Sequence, residues 1–200
     1  MSTDTWLAFA LFAFVSSITP GPNNTMLLAS GVNFGFVRSL PHMAGVTVGF
    51  CLMILLMGLG LGSVFVRFPV LYTVLRYVGG TYMLYLAWKI FRSQPASPAD
   101  NHAAAAKPMG FTAAAAFQWV NPKAWVMAVS AMATYTNAAN YTMSVLIVGL
   151  AFAIVNFPSV STWAGFGSAL REWLSVPVRL KWFNITMALL LVASLWPMLR

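Results

Sequence analysis

The chain has very little charge, and negative charge is the scarcest. Its 200 residues include 11 Lys and Arg but only three Asp and Glu, and charged residues make up 7% of the sequence. A soluble domain contains about 25% charged residues, so this chain lacks the charge to cover a water-facing surface. The single cysteine, Cys51, also excludes a disulfide framework and a paired-thiol redox centre.

Side chains that perform acid–base chemistry or bind metals are equally rare. The long apolar runs contain no Asp or Glu, and the chain has only two His. An integral-membrane enzyme or a metal exporter would need such groups within the membrane, so both classes are disfavoured. We expect no cofactor and no metal. The chain has a net charge of +8, and most of its basic residues lie between the apolar runs. Basic residues at such positions mark cytoplasmic loops and contact anionic lipid headgroups. We therefore expect no nucleic-acid partner.

Apolar residues make up 60% of the chain, and they form runs of the length that crosses a bilayer. A spanning helix needs about 20 mostly apolar residues. The sequence predicts an all-α integral membrane protein with six transmembrane helices, in runs 5–35, 43–66, 69–88, 109–135, 142–170 and 182–199. The first run carries Asp4 and no basic residue at its amino end and has no cleavage site, so it is predicted to be a retained helix rather than a signal peptide.

The six runs divide into two halves of three. Residues 93–108 are small, polar and proline-containing and predict a flexible cytoplasmic loop, which separates a repeat at 1–92 from a repeat at 109–200. Three spans in each half give the two repeats opposite orientations. The first helix of each half is interrupted at a matching place, by Pro20 and by Pro122. Paired breaks of this kind indicate the binding site of a transporter, whereas two unrelated kinks are the alternative explanation.

The basic residues near span ends predict the orientation. If the amino terminus is outside, seven basic residues fall on the inner side and three on the outer side, which favours both termini in the periplasm. The inner set is Arg38, Lys89, Arg92, Lys107, Arg171, Arg179 and Lys181, and the outer set is Arg67, Arg76 and Arg200.

The proline breaks also predict a chemistry. A helical proline lacks an N–H and leaves the carbonyl four residues earlier without its usual partner, which applies to Ser16, Ile18 and Gln118. Freed carbonyls suit an ammonium group, and the free N–H groups at the start of the following helix suit a carboxylate. Two such breaks therefore offer both halves of a site for a zwitterionic amino acid.

Polar side chains near the breaks extend this predicted site. Lys123 is the one charged residue near the middle of a predicted span, so we expect it to contact the substrate carboxylate, with an interfacial position as the alternative. Asn156, Ser159 and Trp163 share one helical face in the fifth span and either line the site or bind helices together. The predicted substrate-binding set is Pro20, Gly21, Pro22, Asn23, Asn24, Asn121, Pro122, Lys123, Asn156 and Trp163.

Several motifs resemble one family of bacterial membrane proteins. Residues 19–24 (TPGPNN), 30–31 (SG), 33–36 (NFGF), 79–88 (GGTYMLYLAW), 121–123 (NPK) and 184–191 are similar to segments of the LysE/RhtB family of amino-acid exporters, and the likeness covers nearly the whole chain. Within that family the pattern is most similar to the exporter group for cysteine and O-acetylserine. The resemblance implies a six-span inner-membrane protein that expels amino acids or their derivatives, driven by the proton gradient.

Proton coupling normally uses a buried carboxylate or His, and the predicted spans here contain no carboxylate. His42 and Lys123 are therefore the predicted coupling residues. No cluster of negative charge awaits a basic substrate, so small neutral amino acids are favoured. A passive channel or a structural membrane protein remains an alternative from the residues alone, and the sequence leaves open whether copies of the chain associate.

Overall fold

A computed structural model describes residues 3–93 and 107–196, and every regular element in that part of the chain is helical. Helices suit an apolar chain because they satisfy their own backbone hydrogen bonds without water. Most of the predicted loop 93–108 lies outside the described residues. The helices are α1 (Thr3–Ile18), α2 (Pro22–Phe34), α3 (Leu40–Leu56), α4 (Gly62–Arg67), α5 (Pro69–Phe91), α6 (Phe111–Phe117), α7 (Pro122–Tyr135), α8 (Tyr141–Leu170) and α9 (Pro177–Ala193).

Helix α8 is the longest and packs against α1, α2 and α3. Pro158 lies inside it without ending it. The contact with α2 is a close one: a Cβ on Gly31 would overlap the backbone of Ala164 and Ser168, and a Cβ on Gly167 would overlap the backbone of Leu28. Glycine at both positions lets the two backbones approach, as small residues do between membrane helices.

Two other helix pairs complete the bundle. Helix α6 packs on α3, where Gly45 and Gly49 face the backbone of Phe111 and Ala115. Helix α5 packs on α9. A five-residue π-helical segment, Met57–Leu61, joins α3 to α4.

The outer surface of the bundle is strongly apolar. Leu7 (71%), Ile154 (74%) and Leu189 (63%) are among many large apolar side chains that are mostly exposed, which a protein in water avoids over so wide an area. By length and composition, the described residues contain two helices that could cross a membrane, Val37–Phe65 and Ala138–Leu170, and the bent pair Thr3–Ile18 and Pro22–Phe34 would be a third. The six-span count and the inverted repeat remain predictions.

Candidate functional site

The first break separates α1 from α2 and turns the chain by 55°. The carbonyls of Ser16 and Ile18 at this break both accept hydrogen bonds from side chains, one nearby and one from α8. Thr19 Oγ1 donates to the carbonyl of Ser16 (3.2 Å), and the Trp163 indole N–H on α8 donates to the carbonyl of Ile18 (2.9 Å). The two carbonyls that the prolines free are thus both satisfied by side chains, as buried backbone groups require.

Asn24 holds the bend of this first break. Its side-chain Nδ2 donates to the carbonyls of Ser17 and Thr19, both at 2.8 Å, and the residue is buried. The first turn of α2 is therefore bonded to the last turn of α1. An uncharged amide can do this because it brings two N–H donors to one point.

The second break lies between α6 and α7. A tight turn, Gln118–Val120, ends α6, and Asn121 caps α7 by accepting a hydrogen bond from the Lys123 backbone N–H at 3.1 Å. Pro122 occupies the first position of α7, where its missing N–H costs nothing.

The two breaks contact each other. The Lys123 Nζ donates to the carbonyl of Thr19 (2.6 Å) and its Oγ1 (3.0 Å), and makes a longer contact with the carbonyl of Pro20 (3.4 Å). A Cβ on Gly21 would lie 2.7 Å from the Lys123 Cδ, so glycine leaves the space through which this side chain passes. The facing arrangement of the breaks is confirmed, but Lys123 binds oxygens of the first break.

The two breaks also meet through a pair of amide side chains that was not predicted. The side chains of Asn23 and Gln118 form a reciprocal amide pair, with Asn23 Nδ2 donating to Gln118 Oε1 (2.8 Å) and Gln118 Nε2 donating to Asn23 Oδ1 (3.2 Å). Gln118 also donates to the carbonyl of Ala114 (2.9 Å) and is fully buried. Only the backbone carbonyl of Gln118 was predicted to matter, although a lone amide side chain in an apolar run near a break was the available signal for a side-chain role.

Asn156 links α8 to α1 and α3. Its Nδ2 donates to Ser17 Oγ (3.2 Å), and its Oδ1 accepts from Thr47 Oγ1 (3.0 Å). Ser159 instead donates to the carbonyl of Val155 in its own helix. The predicted polar face of the fifth span therefore contacts the first break through Asn156 and Trp163.

A cavity lies where these elements meet. Six residues of the predicted substrate-binding set line it, and seven other residues complete the lining. The lining comprises Gly21, Asn23, Asn24, Asn121, Lys123 and Asn156 together with Ser16, Ser17, Phe50, Gln118, Ala124, Met127 and Val160. The cavity volume is about 20 Å³. A cavity of this size holds about one water molecule. An amino acid needs a wider cavity than this conformation provides.

Four residues of the predicted substrate-binding set and the predicted coupling residue His42 do not line the cavity. Three of the four are prolines at the breaks, Pro20, Pro22 and Pro122. The fourth, Trp163, donates a hydrogen bond to the Ile18 carbonyl at the first break. His42 lies near the start of α3, outside the lining, and is 2% exposed. Neither of its ring nitrogens has a hydrogen-bond partner in the described part of the chain.

Comparison with known proteins identifies the family. The family model described as "LysE type translocator" matches residues 14–193. The chain belongs to this family of translocators. Its relatives include proteins named cysteine/O-acetylserine efflux protein from Salmonella typhimurium (34% identical) and from Escherichia coli K12 (32% identical), each match covering 92% of both chains. No solved structure matches. The translocator is therefore a transporter rather than an enzyme, as the sequence predicts.

Proposed function

We propose that this translocator is a secondary transporter that exports small neutral amino acids or their derivatives across the bacterial inner membrane, coupled to the proton gradient. The observation that carries the proposal is the meeting of two broken helices around a polar cavity, with Lys123 of one break bonded to the other. Broken helices that meet in this way are typical of transporter binding sites. The printed names of the relatives make cysteine and O-acetylserine the first substrates to test.

We propose that the fold is a six-span inverted repeat. The helix before the first break, α1, packs on α8, and the helix before the second break, α6, packs on α3. In an inverted repeat, α1 corresponds to α6, α3 to α8 and α5 to α9. Exchange of the two halves therefore turns the contact of α1 with α8 into that of α6 with α3. The contacts of α3 with α8 and of α5 with α9 are unchanged by the exchange. Such a relationship between halves supports alternating access by rocking one half against the other.

The distribution of basic residues supports an orientation with both termini in the periplasm. Asn33 near the end of α2 donates to Asn184 of α9 (3.4 Å), and Asn184 donates to the carbonyl of Ser93 just after α5 (2.8 Å). These contacts bring the end of α2 and the residue after α5 to the amino-terminal half of α9. In or next to these segments lie five residues of the predicted inner set, Arg38, Lys89, Arg92, Arg179 and Lys181. We expect this end of the bundle to face the cytoplasm.

Within the site, we propose that the cavity-lining amides contact the polar atoms of the substrate and that Lys123 contacts its carboxylate once the cavity widens. His42 and Lys123 remain the proposed proton-coupling residues. His42→Gln tests the first of them, because a coupling role requires that the variant lose the dependence of efflux on the pH gradient. Unchanged dependence would remove His42 from the coupling mechanism.

Reconstituted vesicles test the transport function. Vesicles loaded with labelled cysteine or O-acetylserine should release it with saturable kinetics, and faster when a pH gradient is imposed. Lys123→Ala should abolish this flux while leaving insertion intact, whereas Lys107→Ala, at an exposed loop position, should transport like the wild type. Flux that does not saturate and ignores the gradient would identify a passive channel, and wild-type flux in Lys123→Ala would remove Lys123 from the site.

A further inference from the structure

Three oxygen atoms of the first break form a site for a positively charged amino group. They are the carbonyl and Oγ1 of Thr19 and the carbonyl of Pro20, and all three lie within 3.4 Å of the Lys123 Nζ. A primary ammonium group carries three N–H donors, which is the number of acceptors here. We call these atoms the Thr19–Pro20 oxygens.

Among the described residues, the Lys123 Nζ contacts only neutral groups. No carboxylate lines the cavity, and its lining residues are otherwise uncharged. Backbone carbonyls and a hydroxyl stabilise an ammonium group through their dipoles, so any primary ammonium of similar size can use the same atoms. The site is therefore selective for a primary ammonium group, and the chain itself supplies one such group in Lys123.

We propose that the Thr19–Pro20 oxygens are the subsite for the amino group of the substrate, and that a zwitterionic substrate takes this subsite by displacing Lys123. This inference rests on the proposed function. The substrate ammonium replaces the Lys123 Nζ on the three oxygens, and the released Lys123 pairs with the substrate carboxylate. Both charges of the zwitterion and the charge of Lys123 then have partners, which a water-poor site requires.

The exchange also explains how the cavity gains room. The Lys123 side chain passes directly against Gly21, and both residues line the cavity. Movement of this side chain off the Thr19–Pro20 oxygens vacates the space beside Gly21, next to a cavity that now holds about one water. Substrate binding and widening of the cavity therefore occur in one step.

The exchange predicts selectivity for molecules that carry both groups. An amine without a carboxylate would leave the displaced Lys123 without a partner, and a carboxylate without an amine would leave the three oxygens without a donor. Hydrogen bonds to a charged group contribute about 1.5–3 kcal/mol. Loss of one such partner therefore weakens binding by about tenfold or more.

Three related probes separate these cases: cysteine, cysteamine (which lacks the carboxylate) and N-acetylcysteine (which lacks the free amine). Binding to the purified full-length protein is measured by calorimetry. The wild type should bind cysteine about tenfold or more tighter than either analogue. Lys123→Met frees the oxygens, so this variant should bind cysteamine about tenfold tighter than the wild type does and should lose its preference for cysteine.

Variants at Thr19 test the oxygens directly. Thr19→Val removes one acceptor with little change of shape, and it should weaken cysteine binding in the wild type and cysteamine binding in Lys123→Met. The matched control is Thr162→Val on α8, where the exposed hydroxyl bonds only to the carbonyl of Pro158 in its own helix. This control should bind all three probes like its parent.

The proposal is overturned if N-acetylcysteine binds the wild type as tightly as cysteine, a result that needs no variant to fold. It is equally overturned if folded Lys123→Met binds cysteamine no better than the wild type. If either result accompanies normal cysteine flux in vesicles, the exchange fails while the proposed function stands. If the wild type neither binds nor transports cysteine or O-acetylserine, the proposed substrate class and the exchange fail together.

Discussion

The amide pair between Asn23 and Gln118 joins the two halves, and its hydrogen bonds allow an estimate of its contribution to the free energy of unfolding. Gln118 takes part in three side-chain hydrogen bonds, two with Asn23 and one with the carbonyl of Ala114. At a net contribution of about 1 kcal/mol for each bond, Gln118→Leu should lower the free energy of unfolding by about 3 kcal/mol and Asn23→Leu by about 2 kcal/mol. Leucine is close in size to both amides, so packing changes little.

The double variant separates pairing from packing. It loses the same three bonds as Gln118→Leu alone, so the expected cost is about 3 kcal/mol, whereas addition of the single effects gives about 5 kcal/mol. The difference, about 2 kcal/mol, measures the coupling between the two amides. Each single variant also leaves an amide without its partner, which increases this coupling.

Unfolding in mixed micelles by titration with dodecyl sulphate, followed by tryptophan fluorescence, gives these free energies. Asn140→Leu is the control, because Asn140 is exposed and should combine additively with Gln118→Leu. Effects of Asn23→Leu and Gln118→Leu that add to within about 0.5 kcal/mol would show that the pair does not hold the two halves together.

Two further predictions concern the packing of α8. Gly31→Ala should destabilise the protein by about 1–3 kcal/mol, because the new Cβ overlaps the α8 backbone. Gly80→Ala, whose Cβ would approach only Leu195, at 4.0 Å, should stabilise by about 0.5–1 kcal/mol. Equal effects in the same unfolding assay would contradict the close approach. Trp163→Phe should cost about 1–3 kcal/mol because it strips the Ile18 carbonyl of its donor, while Trp182→Phe at an exposed position should cost less than about 0.5 kcal/mol. A neutral Trp163→Phe would mean that the break needs no such bond.

The sequence predicted where the helices break because the cause is local. Pro20, Pro22 and Pro122 each lack an N–H and restrict the residue before them, so a proline in an apolar run marks a possible interruption. Proline alone does not decide the matter, because Pro158 lies inside α8 without ending it. The proximity of the two breaks followed from the matching of the halves. That prediction is confirmed by a contact between Lys123 and Thr19, residues 104 apart in the chain.

The donor to the freed Ser16 carbonyl is local, because Thr19 lies three residues later. Other partners could not be predicted from the sequence, because they come from distant parts of the chain. The donor to Ile18 is Trp163, 145 residues away, and the partner of Asn23 is Gln118, 95 residues away. No local pattern identifies the partner in either contact. The sequence can therefore identify the unpaired backbone group, but only the packed fold determines a distant partner.

The polar groups around the cavity fall into two kinds, and the difference bears on how the transporter moves. Asn24 bonds within the first break and Asn121 within the second, so their bonds persist when one half moves against the other. Three sets of contacts made by the cavity-lining residues cross between the halves: Lys123 with the Thr19–Pro20 oxygens, Asn23 with Gln118, and Asn156 with Ser17 and Thr47. The rocking motion proposed above would break these crossing contacts, and a substrate that supplied replacement partners would lower the cost of doing so. The groups that cross between the halves are therefore the ones through which substrate binding can drive the motion.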